Sequence, residues 1–391
     1  IIIDGDTVYG CRCGQYDGGA RRRLPRAAGR RAAAAALQGD AARALRRRSA
    51  PQRRHAAQAH ARLFITHEAT LTPEVTPDLT SLIQNFTQSV SRHGFHSEVH
   101  TVVTEDGYLL TLFRLARRGV EARGLPVLLI HGLLQCSDSW VDAGPNAGLA
   151  YLLAAAGHDL WIGNVRGNYY SRAHKYLHPR DVAFWDFCTD EIGRYDIPAL
   201  VDYVLWSTGA SQLNYIGFSQ GAGAYFIMCS EMPQYCNKAR MVIALAPSTR
   251  HLLTKSPVFR GVTEGCQQFE EVLRSNGFNE VFTKGTLTQT TLGYICRLPE
   301  LFTFCSMLVE LLDSVYSTGK LSLTNETVRN VAEHFPAGTS LKNMVRFGQA
   351  MNNKKFVKFD YGNTQNILVY GAPRPPEYNL SSVSVPVIAI Y

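Results

Sequence analysis

From about residue 97 onward, apolar positions fall into alternating strand and helix patterns. Val99–Val103 and Tyr108–Leu115 are rich in β-branched, aromatic and leucine side chains, and Glu105-Asp106-Gly107 between them is a turn signal, which predicts two joined strands. Pro126–His131 is a continuous apolar run, as expected of a strand buried on both faces. Leu149, Leu152 and Leu153 mark a helical stretch that ends at Gly157, and Asp159–Val165 reads as the next strand. Over 190–207, Ile197, Leu200, Val201, Val204 and Leu205 recur at helical spacing on one stripe, and Pro198 is tolerated in a first turn. Leu213–Phe218 then reads as a strand, Ser219 as a tight turn, Gln220 as a helix start and Met241–Ala246 as a strand. This alternation predicts an α/β fold, a mostly parallel central sheet with helices on both faces. The rhythm breaks over 250–340, where helix-prone apolar stretches such as Leu298–Leu312 carry no clear strand; an insertion of that size predicts a helical cap or lid. Short strand-like runs resume at 366–370 and 385–391.

Composition changes the picture mainly at the N-terminus. The 391 residues are 46% hydrophobic, enough for a sizeable core, and the formal net charge is +8. That charge is concentrated: residues 20–62 hold 13 arginines against one acid, Asp40, and the remainder is near neutral. This Arg/Ala tract has almost no apolar side chain larger than alanine, so 1–62 is expected to be disordered or foreign to the domain at 63–391. An arm for nucleic acid or anionic membrane is the alternative. No aromatic residue interleaves the arginines, so no nucleic-acid partner is expected. No apolar run approaches the ~20 residues of a membrane span, and no signal peptide is visible. The nine cysteines are too sparse for a disulfide scaffold and lack paired zinc spacing, so no metal is expected. Asn85, Asn325 and Asn379 head Asn-x-Ser/Thr triplets, candidates for glycosylation.

The main chemical signal is Gly217-Phe218-Ser219-Gln220-Gly221. A strand before and a helix after this pattern make a strained turn that exposes the serine hydroxyl above a sheet, so Ser219 is the candidate nucleophile of a serine ester hydrolase. His131-Gly132-Leu133-Leu134 lies at the end of a buried strand, where the same chemistry needs backbone N–H groups for a tetrahedral oxyanion. Leu133 and Gln220 are the candidate donors. His131 precedes Ser219, whereas the order in this fold is Ser, acid, His, so His131 is expected to be structural.

Together with these, TEDGYLL (104–110), HGLLQCSDSW (131–140), GHDLWIGNVRGNYYSR (157–172), FWDFCTDEIGRYDIPALVDYVL (184–205), YIGFSQG (215–221), PAGTS (336–340), FDYG (359–362) and PPEYNL (375–380) resemble the acid lipase family of gastric, lysosomal and insect type. The resemblance covers about residues 72–391. It implies an α/β-hydrolase fold, a secreted or lysosomal enzyme, no cofactor, and hydrolysis of triacylglycerols, steryl esters or related lipid esters at a lipid–water interface. It places Ser219 as nucleophile, Leu133 and Gln220 in the oxyanion hole, 250–340 as cap and lid, and a Cys296–Cys305 disulfide in that cap.

Two departures accompany it. Phe218 stands where many relatives carry His. In the family, a Pro-Val-apolar-Tyr strand leads into the loop bearing the catalytic Asp, with the His later. Here that strand reaches Tyr391, so the chain is expected to be truncated before the triad Asp and His and before the last strand–helix unit. Asp313 and His334 follow Ser219 in order but lie in the cap, and Asp360 has no His after it. The alternative to an active lipase is therefore an inactive lipid-binding relative; an esterase of short soluble esters is a further one.

Overall fold

Alternate residues of the central strands enter two different cores, which is how a sheet covered on both faces is built. The computed structural model describes residues 86–251, 254, 256–282 and 324–390; residues 1–62 lie outside them. The strands are β1 (Phe95–Val103), β2 (Tyr108–Arg117), β3 (Arg123–Ile130), β4 (His158–Gly163), β5 (Ala173–His174), β6 (Leu213–Phe218) and β7 (Ala239–Leu245), then the short β8 (Glu280–Val281) and β9 (Thr339–Ser340), and finally β10 (Val387–Ile390). The main sheet runs β1-β2-β4-β3-β6-β7-β10, with β5 on β2. Pairing is parallel from β4 through β3, β6 and β7 to β10, and antiparallel for β1–β2 and β2–β4.

Leu128 and Ile130 of β3, Trp161 of β4 and Tyr215 of β6 join one core, roofed by α2 (Ile197–Thr208) and α3 (Gln220–Glu231). Val127, Leu129, Leu160, Ile162 and Ile216 face the other, covered by α1 (Leu149–Ala155) and Phe86. The period of two in side-chain direction thus turns the unbroken apolar run of β3 into a two-sided strand. The helix expected over 190–207 begins as a short α-helical turn, Thr189–Glu191, and passes through a π-helical turn, Ile192–Asp196, before α2, which ends at Gly209 in the left-handed region (φ 67°).

Beyond β7, α4 (Pro257–Gln268) packs on a later helix, α6 (Leu341–Met351), reached through α5 (Asn325–His334). β8 and β9 form a separate two-stranded ladder, so the 250–340 stretch contains strand pairing as well as helix. The run at 366–370 is not a strand. It belongs to α7 (Asn363–Tyr370), whose end is set by Gly371 at φ 72°. Three consecutive apolar residues, Ile367, Leu368 and Val369, suggested extended chain, but they are too few to reveal a helical period, and all three are exposed.

Candidate active site

The parallel strands bring the C-terminal ends of β3, β6 and β7 together. At the end of β6 the backbone turns through Ser219 with φ 47° and ψ −109° before α3 begins. A non-glycine residue held there stores about 1–3 kcal/mol and needs support. Ser219 N–H donates to Leu245 O at 2.8 Å, and Ser219 O accepts from Ser248 N at 3.1 Å and Gly223 N at 3.0 Å. The flanking glycines are required by close approach. A Cβ on Gly217 would lie 2.6 Å from Ala222 N, and one on Gly221 would strike the Ile130 carbonyl and come within 2.8 Å of His131 O.

The loop after β3 faces this turn. Gly132 N–H donates to Gln135 Oε1 at 2.9 Å, and Leu134 adopts φ 60°, with its carbonyl accepting from Ala337 N at 2.7 Å. Leu133 N–H and Gln220 N–H, the expected oxyanion donors, make no hydrogen bond to any of the described residues. Leu133 is buried against Met344 and Phe347, with Leu134 and Phe259 beside them, an apolar surround next to the donors. Phe218 lies against the loop: a Cβ on Gly132 would sit 2.9 Å from its ring.

His131, His251 and His334 are each engaged elsewhere. His131 Nε2 accepts from Val165 N–H at 3.2 Å, which leaves the proton on Nδ1 to donate to Gly132 O at 2.8 Å. Burial pushes its pKa down to about 4, so the ring is neutral and orders the loop. His251 Nε2 pairs with Ser248 Oγ at 2.6 Å, and burial, with Arg346 nearby, pushes its pKa down to about 4. His334 Nδ1 meets Asp142 Oδ1 at 2.6 Å, and Asp360 Oδ1 accepts from Gly362 N and Asn366 Nδ2. Among the described residues, Ser219 Oγ accepts no hydrogen bond from a histidine. Asp313 lies outside them.

Several contributors carried no sequence signal. Asn343 and Thr189 meet the Gln220 side chain, and Ser248 with His251 stands behind Ser219. Lone polar residues with no motif of their own could not be singled out. The same holds for a disulfide, Cys229–Cys236, which ties the end of α3 to the short helix Pro233–Cys236. Cys296, Cys305 and Asn85 lie outside the described residues. Asn325 and Asn379 are exposed, and Asn379 Oδ1 accepts from Ser381 N at 3.1 Å. Among the described residues no group of three or more metal-ligating side chains is assembled, and no helix is long and apolar enough to cross a membrane.

Two family models match the chain: a partial alpha/beta-hydrolase lipase region over residues 86–144, and the alpha/beta hydrolase fold over 126–261. Lipase 1 of Drosophila melanogaster is 36% identical over 325 residues, covering 82% of this chain and 70% of the relative. Lipase 3 of the same organism is 36% identical over 308 residues, covering 78% and 77%. Gastric triacylglycerol lipase of Homo sapiens is 34% identical over 327 residues, covering 81% and 77%.

Proposed function

The chain belongs to the acid lipase family of gastric, lysosomal and insect type within the α/β-hydrolase superfamily, and we propose that it cleaves lipid esters with Ser219 as nucleophile. It is a carboxylic ester hydrolase of lipase type. The observation that carries the residue assignment is the strained Ser219 turn faced by two backbone N–H groups, of Leu133 and Gln220, that no described residue claims.

In this reading Ser219 Oγ attacks the ester carbonyl, and the carbonyl oxygen takes up negative charge between the Leu133 and Gln220 N–H groups. Preorganised donors of this kind are worth about 3–4 kcal/mol each in the transition state. The C–O bond to the alcohol then breaks, leaving an acyl-serine, and water attacks the acyl carbon to release the fatty acid. In this fold a histidine oriented by a carboxylate takes the serine proton and returns it to the departing alcohol. The described residues contribute the nucleophile, its turn and the two donors.

Triacylglycerols and steryl esters fit as substrates because Leu133, Leu134, Phe259, Met344 and Phe347 gather beside the donors. We assign residues 250–340 the cap role, and Phe269, Val272, Phe278 and Phe282 of that stretch are exposed, as suits contact with a lipid surface. Secretion or lysosomal residence suits a Cys229–Cys236 crosslink, which persists in oxidising compartments, and the exposed sequons at Asn325 and Asn379.

The test is turnover of p-nitrophenyl butyrate and of emulsified triolein by the protein and by Ser219→Ala. Hydrolysis of both that Ser219→Ala abolishes is expected. Hydrolysis of the soluble ester alone would make it an esterase of short esters, and lipid binding without turnover would make it a non-catalytic relative.

A further inference from the structure

The two candidate oxyanion donors come from segments 87 positions apart in sequence, yet one short stretch touches both supports. On one side, Ala337 N–H donates to Leu134 O at 2.7 Å, fixing the left-handed turn that presents Leu133. The Ala337 carbonyl in turn accepts from Tyr169 N at 3.1 Å, so the backbone of Ala337 is held on both sides. On the other side, Asn343 Nδ2 donates to Gln220 Oε1 at 2.7 Å. Residues 337–343 therefore span the site from one donor segment to the other.

The Asn343 carboxamide is engaged through both its Nδ2 protons and its oxygen. Its second Nδ2 proton goes to Thr339 Oγ1 at 3.0 Å, and its Oδ1 accepts from Thr189 Oγ1 at 2.9 Å. Thr189 Oγ1 also stands 3.4 Å from Gln220 Oε1. Its single hydroxyl proton serves Asn343, so the amide of Asn343 is the principal donor to Gln220. The Asn343 backbone is set by its own helix start, where Ser340 Oγ accepts from Asn343 N at 3.0 Å and donates to Phe187 O. Asn343 and Ser340 are fully buried, and Gln220, Thr189 and Thr339 nearly so. A closed network of this kind fixes rotamers, because every alternative leaves a buried polar group unpaired.

We propose that Asn343 is a positioning residue for ester hydrolysis: by clamping the Gln220 side chain it aims the Gln220 N–H at the developing oxyanion, while Ala337 of the same segment aims the opposite donor. This rests on the oxyanion role given above to Leu133 and Gln220. The Asn343 side chain bonds to Thr189, Gln220 and Thr339 and not to Ser219. Its effect passes through Gln220, whose backbone N–H and side chain share one Cα. Oxyanion donors act over a window of a few tenths of an ångström, so loosening Gln220 lowers the rate of the chemical step and leaves ground-state ester binding nearly unchanged.

The test is steady-state kinetics of Asn343→Leu, close to asparagine in shape, on a p-nitrophenyl ester and on the matching thiono ester, in which sulfur replaces the carbonyl oxygen. A working oxyanion site favours the oxygen ester. The expected result is a kcat lower by roughly 10-fold or more with KM within about 3-fold, and an oxygen-to-thiono rate ratio that falls with it. A merely structural role for Asn343 would lower the fraction of folded protein and leave the ratio at the wild-type value, and that result overturns the proposal. Should Asn343→Leu not fold, Thr189→Val, which replaces the hydroxyl that donates to Asn343 Oδ1 with a methyl and keeps the side-chain shape, is expected to lower the same ratio in milder degree. An unchanged ratio in that variant overturns the proposal equally. Absence of turnover in the wild-type protein would overturn the hydrolase reading and this one together, whereas wild-type turnover with unaltered ratios removes this one alone.

Discussion

Arg166 and Asp196 form a buried pair that joins the end of β4 to the start of α2. Arg166 Nε donates to Asp196 Oδ1 at 2.7 Å, and the Arg166 backbone N–H donates to Oδ2 at 2.9 Å. Asp106 takes the far edge of the guanidinium at 2.6 and 2.8 Å, and Tyr108 lies under it at 3.9 Å. The preceding residue, Val165, is the one that donates to His131, so the pair anchors the strand end on which the loop after β3 leans. Breaking one partner of a buried pair leaves an uncompensated charge, at a cost of about 3–5 kcal/mol. Arg166→Met is therefore expected to lower Tm by roughly 10 °C. A thermal melt showing a shift under about 2 °C would mean the pair carries little of the fold.

His131 predicts a pH dependence whose sign is fixed by its burial. Its folded pKa, near 4, lies below its ordinary value of 6.5, so between those values the unfolded chain binds a proton that the folded one does not. Stability then rises with pH across that window and is lost as pH falls from about 6.5 towards 4, by about 1.4 kcal/mol per pH unit. His251, pushed the same way by burial, adds to the slope. In His131→Gln the hydrogen bonds are weakened at pH 7, but the acid penalty is gone. Its stability deficit relative to wild type, read from urea unfolding, is expected to shrink by roughly 2–3 kcal/mol between pH 7 and pH 4.5. A deficit that stays constant or grows would show that His131 is protonated in the fold.

The contrast between Ser219 and Asn343 shows how far sequence reaches. The Ser219 turn was legible because such a turn demands a local pattern: glycines that admit the Ile130 carbonyl and Ala222 N, a strand before and a helix after. The strands of the central sheet were legible for a similar reason, since burial on both faces leaves an apolar run. Asn343 acts across 123 residues of separation from Gln220, and a single asparagine near a helix start looks like any other. The helix at Asn363–Tyr370 leaves no helical stripe in the sequence because its apolar residues face solvent instead of a core. The Cys229–Cys236 pairing depends on the chain reversing at Met232-Pro233, a tertiary fact that spacing alone does not express.

Phe218 and Gly132 are coupled sterically, which a double-mutant cycle can read. A Cβ at position 132 would meet Phe218 Cδ1 at 2.9 Å and Gln135 Oε1 at 3.0 Å. Gly132→Ala must push the ring or the loop after β3 aside, at about 1–3 kcal/mol for an overpacked site. Phe218→Ala alone opens space and costs about 3–5 kcal/mol at most, less here because the ring is only partly buried. With the ring gone, adding the methyl at 132 is expected to cost at least 1 kcal/mol less than in the wild-type background. Strict additivity in urea unfolding would mean that the loop yields without the ring, and that Phe218 does not set its position.

The Cys229–Cys236 disulfide closes a short loop, with a sequence separation of 7, between the C-terminal turn of α3 and the helix that leads to β7. Both cysteines are fully buried, and Tyr225 OH donates to the Cys236 carbonyl at 3.0 Å, so the crosslink sits inside a packed corner. Restricting so short a loop in the unfolded chain is worth about 2.5 kcal/mol in the chain-entropy account. The double variant Cys229→Ser, Cys236→Ser is expected to lose about that much stability, read from urea unfolding. It should keep near wild-type turnover of the soluble ester at 25 °C, because the Ser219 turn is held by Leu245 and Ser248 and not by this corner. Serine at two buried sites adds a desolvation cost of its own, so Cys229→Ala, Cys236→Ala is the companion variant. If the alanine pair is as stable as wild type under oxidising conditions, and wild type is not weakened by reductant, the two thiols are not crosslinked in solution.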